Sequence, residues 1–188
     1  MNWLFPLARV IGAGIPFGGV LVQISAELDS RQVQQRLTKL EDPISALHPD
    51  VRDFSRVVYE QMRATQTSRI QFADDDLTRH ARVIALLENA GHLRGSHAIG
   101  QRHPIALWLE SPQYVLYMAA LYEDTDAMGR VFSHLDSAPP GTWLKGEGLA
   151  TQYEVPLPVV RALFELYDSR GLGVLSKETG ATNYMSRA

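Results

Sequence analysis

The stretch from Trp143 to Ala188 constrains the fold most, because two helical patterns are followed by two short strand patterns. The first helix is predicted over residues 143–153, with three side chains on one face: Leu144, Leu149 and Tyr153. Pro156 and Pro158 have fixed φ angles and predict a turn and the start of a second helix. The second helix has five core-facing residues, Val159, Val160, Leu163, Phe164 and Tyr167.

The second helix is expected to stop at residues 171–173, where glycine supplies the left-handed conformation of a C-cap. Two strands then follow, at residues 174–176 and 183–185, on either side of a polar turn. This order of helix, turn, helix and hairpin resembles the winged helix-turn-helix superfamily. The resemblance is carried by Leu149-Ala150, Val155, Val159-Val160, Leu163 and Gly171-Leu172. It covers about a quarter of the chain, and it implies contact with either DNA or a protein.

The middle of the chain, residues 65–110, follows a related order. A strand is predicted at residues 68–72, and Asp74, Asp75 and Asp76 are expected to cap a helix that ends at Gly91. A hairpin is expected over residues 92–110, with Ile105, Leu107 and Leu109 on its buried face. Two connecting helices are expected near residues 113–122 and 125–135.

The predicted fold class is therefore mainly α with short β-hairpins, an α+β fold. A helical N-terminal region is expected to precede one or two winged-helix-like units. The expected boundaries are residues 1–64, residues 65–124 and residues 125–188.

The N-terminal segment, residues 3–24, is apolar, and Arg9 is its only charged residue. Its length is close to the roughly 20 residues that span a bilayer, but two prolines and four glycines interrupt it. It is interpreted either as a buried arm or helical hairpin, or as a segment that docks on a membrane or a larger partner. The next segment has an apolar stripe that includes Val33, Leu37 and Leu40. The stripe predicts packing within the chain or a homodimer contact.

The best candidate for a binding site is a group of arginines between residues 79 and 109. Although the net charge is −3, a local cationic patch can still bind phosphate, because guanidinium pairs with it through two parallel hydrogen bonds. The alternative is a solvated surface whose arginines pair with Asp74 to Asp76. The nucleic-acid-binding prediction comprises Arg79, Arg82, Arg94, His97 and Arg102, together with Arg161 and Lys177 of the C-terminal unit.

The start of the second C-terminal helix argues against sequence-specific DNA reading there. Pro156, Leu157 and Pro158 occupy positions that would enter the major groove, and only Arg161 offers a donor to a base edge. An apolar surface at these three positions is better suited to a protein partner.

The sequence contains no motif that predicts an enzyme. A phosphate-binding loop, a histidine-glutamate zinc motif and a nucleophilic serine elbow are all missing, and no cysteine is present. No cofactor, metal site or catalytic residue is expected. The favoured hypothesis is a non-enzymatic, dimeric, cytoplasmic regulator associated with DNA. The alternative is a protein-interaction adaptor whose apolar N-terminus docks on a membrane or a larger partner.

Overall fold

The computed structural model describes residue 44 and residues 48–97, 104–122, 125–176 and 182–187. The chain divides into two compact units, residues 1–52 and 53–188. In the first unit, Ile44 is buried, and the Val51 amide donates a hydrogen bond to the His48 carbonyl at 3.1 Å. The predictions for residues 3–24 and for Val33, Leu37 and Leu40 lie outside the described residues. Within the described ranges, every helix is too short or too polar to cross a membrane.

The described residues form six helices and six strands, so the predicted α+β class is confirmed. The helices are α1 (Val51–Thr65), α2 (Asp74–Asn89), α3 (Pro112–Tyr122), α4 (Thr125–Ser137), α5 (Gly146–Tyr153) and α6 (Leu157–Ser169). The strands are β1 (Arg69–Ile70), β2 (Leu93–Ser96), β3 (Ala106–Leu109), β4 (Trp143–Lys145), β5 (Gly173–Leu175) and β6 (Asn183–Ser186).

The first sheet is antiparallel with the strand order β1-β3-β2. A single helix, α2, connects β1 to the β2–β3 hairpin. It begins after Ala73, whose side chain cannot accept a capping hydrogen bond, so the prediction that Asp74 to Asp76 supply the N-cap is wrong. Residues 74–76 instead form the first turn, where the helix dipole favours the negative charges of Asp75 and Asp76. Gly91 follows the helix with φ +74°, in agreement with the predicted stop.

Burial along β3 differs from the predicted alternation at its start. Ile105 is 44% exposed, whereas Ala106 is only 2% exposed. Ala106 and Leu107 are consecutive and both buried, so the sheet is covered on both faces at this end. A simple period of two requires one face to be fully open to water, and that condition does not hold here.

The second sheet, β4-β6-β5, is also antiparallel and corrects the predicted start of the first C-terminal helix. Residues 143–145 form a strand instead of a helical turn, because they pair with residues 183–185 of β6. The chain turns into α5 at Gly146, whose amide donates to the Thr182 carbonyl at 2.6 Å. The hairpin formed by β5 and β6 agrees with the predicted strands.

Helix α6 lies at the centre of the core and packs against α3, α5 and β5. Its five predicted core residues are all buried. The Phe164 ring stacks on Tyr184 of β6 with centroids 5.0 Å apart, and Tyr167 meets the same ring edge-on. These contacts attach the second sheet to the helices.

Candidate functional site

Two of the predicted phosphate-binding residues, Arg79 and Arg82, lie one turn apart on the solvent face of α2. Both are exposed, because α2 buries its opposite face through Leu77, Val83, Ile84 and Leu87. The Arg79 guanidinium is 3.9 Å from the Asp76 carboxylate, and its side chain is 72% exposed. An exposed pair at this distance contributes little free energy, so the guanidinium remains accessible to another anion.

Arg94 lies on the other face of the first sheet, so the predicted arginine patch is divided. Its neighbour Gly95 faces α2, because a side chain there would meet the Glu88 carboxylate. That carboxylate accepts a hydrogen bond from the Gly95 amide at 2.6 Å. Successive residues of a strand point to opposite faces, so Arg94 points away from α2. The single surface expected from Arg79, Arg82 and Arg94 is therefore wrong.

Arg94 instead belongs to a row of three side chains that crosses the first sheet. Arg69 of β1, Trp108 of β3 and Arg94 of β2 stand directly opposite one another in the strand register. The Arg69 guanidinium carbon is 5.8 Å from the centroid of the Trp108 ring, and that of Arg94 is 5.9 Å away. We call this row the Arg-Trp-Arg row. Arg69 and Trp108 were not among the predicted site residues, because the register that brings them together is set by non-local pairing.

The counter-charge near Arg94 comes from Glu110, which follows β3. The Arg94 Nε donates to the Glu110 carboxylate at 2.7 Å, with the two side chains 64% and 43% exposed. Glu88 is the acidic residue nearest to Arg94 in the sequence, but its carboxylate accepts from the Gly95 amide, whereas Glu110 binds the Nε at one edge of the Arg94 fork.

The remaining predicted residues are His97, Arg102, Arg161 and Lys177. His97 is exposed at the end of β2, and Arg102 and Lys177 lie outside the described residues. The Arg161 Nε donates to the Glu165 carboxylate one turn along α6, at 2.9 Å. Arg161 is thus paired on its own helix.

The start of α6 is not the apolar surface expected from its sequence. Pro156 and Pro158 are buried and Leu157 is half-buried, because this end of α6 packs inside the chain. The Leu157 amide donates to the Gln66 side-chain oxygen at 2.8 Å. Gln66 has a left-handed backbone, φ +56°, and its side-chain nitrogen donates to the Arg63 carbonyl at 2.7 Å. The end of α1 thereby caps the start of α6, and the two prolines are unavailable to a partner.

An apolar surface is present elsewhere, on one face of the second sheet. Trp143 is 55% exposed and lies opposite Met185, which in turn lies opposite Val174. Leu172, just before β5, is 48% exposed. By strand alternation it lies on the same face as Val174. We call Trp143, Leu172, Val174 and Met185 the apolar sheet face.

His92 is half-buried at the junction of α2 and β2. Its ring stacks on Tyr114 with centroids 5.6 Å apart. Burial lowers the pKa of His92 below its usual value of 6.5, because the charged form loses hydration. In the described part of the chain, no three histidine, aspartate or glutamate side chains are grouped closely enough to hold a metal ion.

Comparison with known proteins finds no family model that matches the chain, no similar curated protein and no similar solved structure.

Proposed function

We propose that the chain is a non-enzymatic regulator that binds nucleic acid and contains a winged-helix-like unit over residues 125–187. Support for this unit comes from the element order from α5 to β6, which is helix, turn, helix and hairpin. The unit over residues 65–110 has one helix between its first strand and its hairpin. In the proposal, this earlier unit makes the contact with DNA.

The observation that carries the DNA proposal is the exposed pair of arginines, Arg79 and Arg82, on the helix that leads into the β2–β3 hairpin. Their neighbours Ala81 and Ala85 are also exposed, and small side chains allow a helix to approach a phosphate backbone closely. Arginine binds phosphate through a rigid fork of donors. Contacts of this kind with the DNA phosphate backbone contribute affinity but do not select a DNA sequence.

The start of α6 supports the choice of α2 over α6 as the DNA-contacting helix. In helix-turn-helix proteins, the first residues of the recognition helix reach the bases. Here the Leu157 amide is capped by Gln66 and Pro156 is buried, so the first residues of α6 are engaged inside the chain. The C-terminal unit therefore serves as a scaffold in the proposal.

The test is binding of the full chain to a random duplex, followed over a salt series from about 50 to about 300 mM. Each phosphate contact contributes a slope of about 0.9 in log K against log salt, so R79A/R82A should reduce the slope by about 2 and weaken binding. The matched control is R56A/R130A, which removes two exposed arginines from α1 and α4. Equal losses in the two double variants would contradict a site on α2.

A second candidate function, protein interaction, is favoured by the apolar sheet face. An exposed tryptophan on an apolar surface is typical of a binding hot spot. If the chain is an adaptor, W143S/L172S should abolish capture of its partner and leave duplex binding unchanged. Loss of duplex binding in R79A/R82A, with W143S/L172S unaffected, would favour the regulator instead.

A further inference from the structure

The Arg-Trp-Arg row combines two kinds of side chain that bind nucleic acids, a cationic one and an aromatic one. Trp108 is in the central strand of the first sheet and is 36% exposed, with one arginine on each side. Neighbouring strands are about 4.8 Å apart, so the two arginine backbones lie roughly 10 Å apart. The row thus offers two cationic groups separated by one aromatic ring.

The guanidinium carbons of both arginines lie over the Trp108 ring, 5.8 and 5.9 Å from its centroid. Both distances are close to the limit of about 6 Å for a cation–π attraction, so the two groups are oriented by the ring but held weakly. A base that stacks on the indole displaces one of these guanidinium groups, because base–aromatic stacking is stronger than an exposed cation–π attraction at that limit.

We propose that the Arg-Trp-Arg row binds single-stranded nucleic acid, with an unpaired base against Trp108 and backbone phosphates on Arg69 and Arg94. This binding rests on the proposed function, because it names an unpaired strand as a further substrate of the same unit. It occurs on the sheet face opposite α2, so it uses none of the duplex contacts of Arg79 and Arg82.

An unpaired strand fits the row better than a duplex does. A base can stack on a side chain only when its own face is free, and in a duplex that face is covered by the neighbouring bases. Stacking on an aromatic ring also tolerates any base, since each has a π-face. A protein partner is disfavoured here, because the two most exposed large apolar side chains of the described residues, Trp143 and Leu172, lie on the apolar sheet face.

Glu110 determines how the affinity for an anionic strand should depend on the charge beside Arg94. Its carboxylate accepts a hydrogen bond from the Arg94 Nε, a contact that does not use the two terminal nitrogens of the fork. The same carboxylate repels a phosphate that approaches Arg94. Neutralising Glu110 should therefore tighten the binding of an anionic strand, whereas removing Arg69 and Arg94 should weaken it.

The experiment uses the full chain with one reporter tryptophan. The sequence has three tryptophans, so W3F/W143F retains Trp108 alone and W3F/W108F retains Trp143 alone. An oligothymidylate of about ten nucleotides, within the usual span of a single-strand site, is titrated at low salt. We expect saturable quenching of Trp108 fluorescence by a stacked base. The variant that retains Trp143 should show no quenching.

Four variants then separate recognition from a structural role, with binding to labelled oligothymidylate followed by anisotropy. W108L should weaken binding by roughly tenfold or more, because stacking on one aromatic ring accounts for about that factor. R69A/R94A should weaken binding by roughly the same factor, because it removes both phosphate contacts. W108F keeps a π-face and should restore most of the affinity. E110Q should bind about two- to fivefold more tightly at low salt. R56A/R130A remains the matched charge control.

The outcomes distinguish this site from the duplex site. Absence of quenching at low salt, or unchanged affinity in R69A/R94A with quenching present, would overturn the single-strand site alone. Stronger quenching by a duplex than by oligothymidylate would also overturn it. Loss of duplex binding in R79A/R82A with oligothymidylate binding retained would show that the two surfaces act separately. Single-strand binding without any duplex binding would reject the proposed duplex contact and leave this site in place.

Discussion

At the scale of single residues, the hydroxyl groups of two buried tyrosines, Tyr114 and Tyr167, each have a hydrogen-bond partner. The Ser55 and Tyr114 hydroxyls are 2.8 Å apart, and the Tyr167 hydroxyl donates to the Asp136 carboxylate at 2.6 Å. Burial raises the pKa of both tyrosines, and the Asp136 charge raises the Tyr167 pKa further. Both phenols therefore remain protonated, and each has a partner for a hydroxyl that would be costly to bury alone.

His92 makes the stability of the fold depend on pH. Burial lowers its pKa in the native state, so below pH 6.5 the unfolded chain binds a proton that the native state resists. The free energy of unfolding should consequently fall as the pH drops from 6.5 towards the lowered native pKa. H92F keeps a ring beside Tyr114 but cannot titrate, so it should lose this part of the pH dependence.

Urea unfolding of the two proteins at a series of pH values checks this prediction. Above about pH 7.5 the histidine is neutral in both states, so the two stability curves should be parallel there. Below pH 6.5 the wild-type curve should fall more steeply than that of H92F. Curves that stay parallel down to acidic pH would show that His92 does not contribute.

At the scale of elements, the periodic helices could be predicted from the sequence, and the short strands only partly. Helix α6 buries the residues that its spacing of three and four predicts, because that signal is local. Strand β4 was predicted as helix, since Leu144 also fits the helical spacing with Leu149. Its strand conformation depends on pairing with β6, which is far away in the sequence.

The same reasoning explains which part of the candidate site was predictable. The exposure of Arg79 and Arg82 follows from the amphipathic pattern of α2. Arg94 was grouped with them because it is near in the sequence, although the intervening turn places it on the opposite face of the sheet. Its true neighbours, Arg69 and Trp108, are identified only by the register of three strands.

Gly173 gives a test of packing between β5 and β6. A methyl group at this position would overlap the Tyr184 ring, which is 1% exposed and has Phe164 stacked on it. G173A should therefore lower the free energy of unfolding by about 1–3 kcal/mol, the usual cost of overpacking. Gly129 in α4 is the matched control, because a methyl group there would meet nothing within 4 Å. G129A should raise the stability by up to about 1 kcal/mol, since alanine favours a helix.

Denaturant unfolding measures both changes. Equal effects of the two substitutions would mean that the native fold has room at Gly173, in conflict with the stacked arrangement of Tyr184 and Phe164.

At the scale of the whole second unit, the helices join the two sheets into one structure. α3 packs along α6, and the end of α1 caps the start of α6 through Gln66. Residues 112–188 carry nine acidic side chains and six lysine or arginine side chains, whereas residues 53–111 carry seven acidic side chains and seven arginines. The less acidic part of the unit is therefore the part better suited to phosphate, and the more acidic part stabilises it through packing.

The Gln66 link predicts a coupling between the two parts. Its side chain holds the Leu157 amide and the Arg63 carbonyl at once, so Q66A should destabilise the fold by about 0.5–2 kcal/mol, as loss of a helix cap does. Amide hydrogen exchange measured by NMR gives the sharper signal, because the Leu157 amide should lose protection while amides in the middle of α6 keep theirs. Q71A changes another exposed glutamine near β1 and serves as the control. An unchanged exchange rate at Leu157 in Q66A would refute the link. Faster exchange at Leu157 in Q66A alone would establish that the end of α1 holds the start of α6 in place.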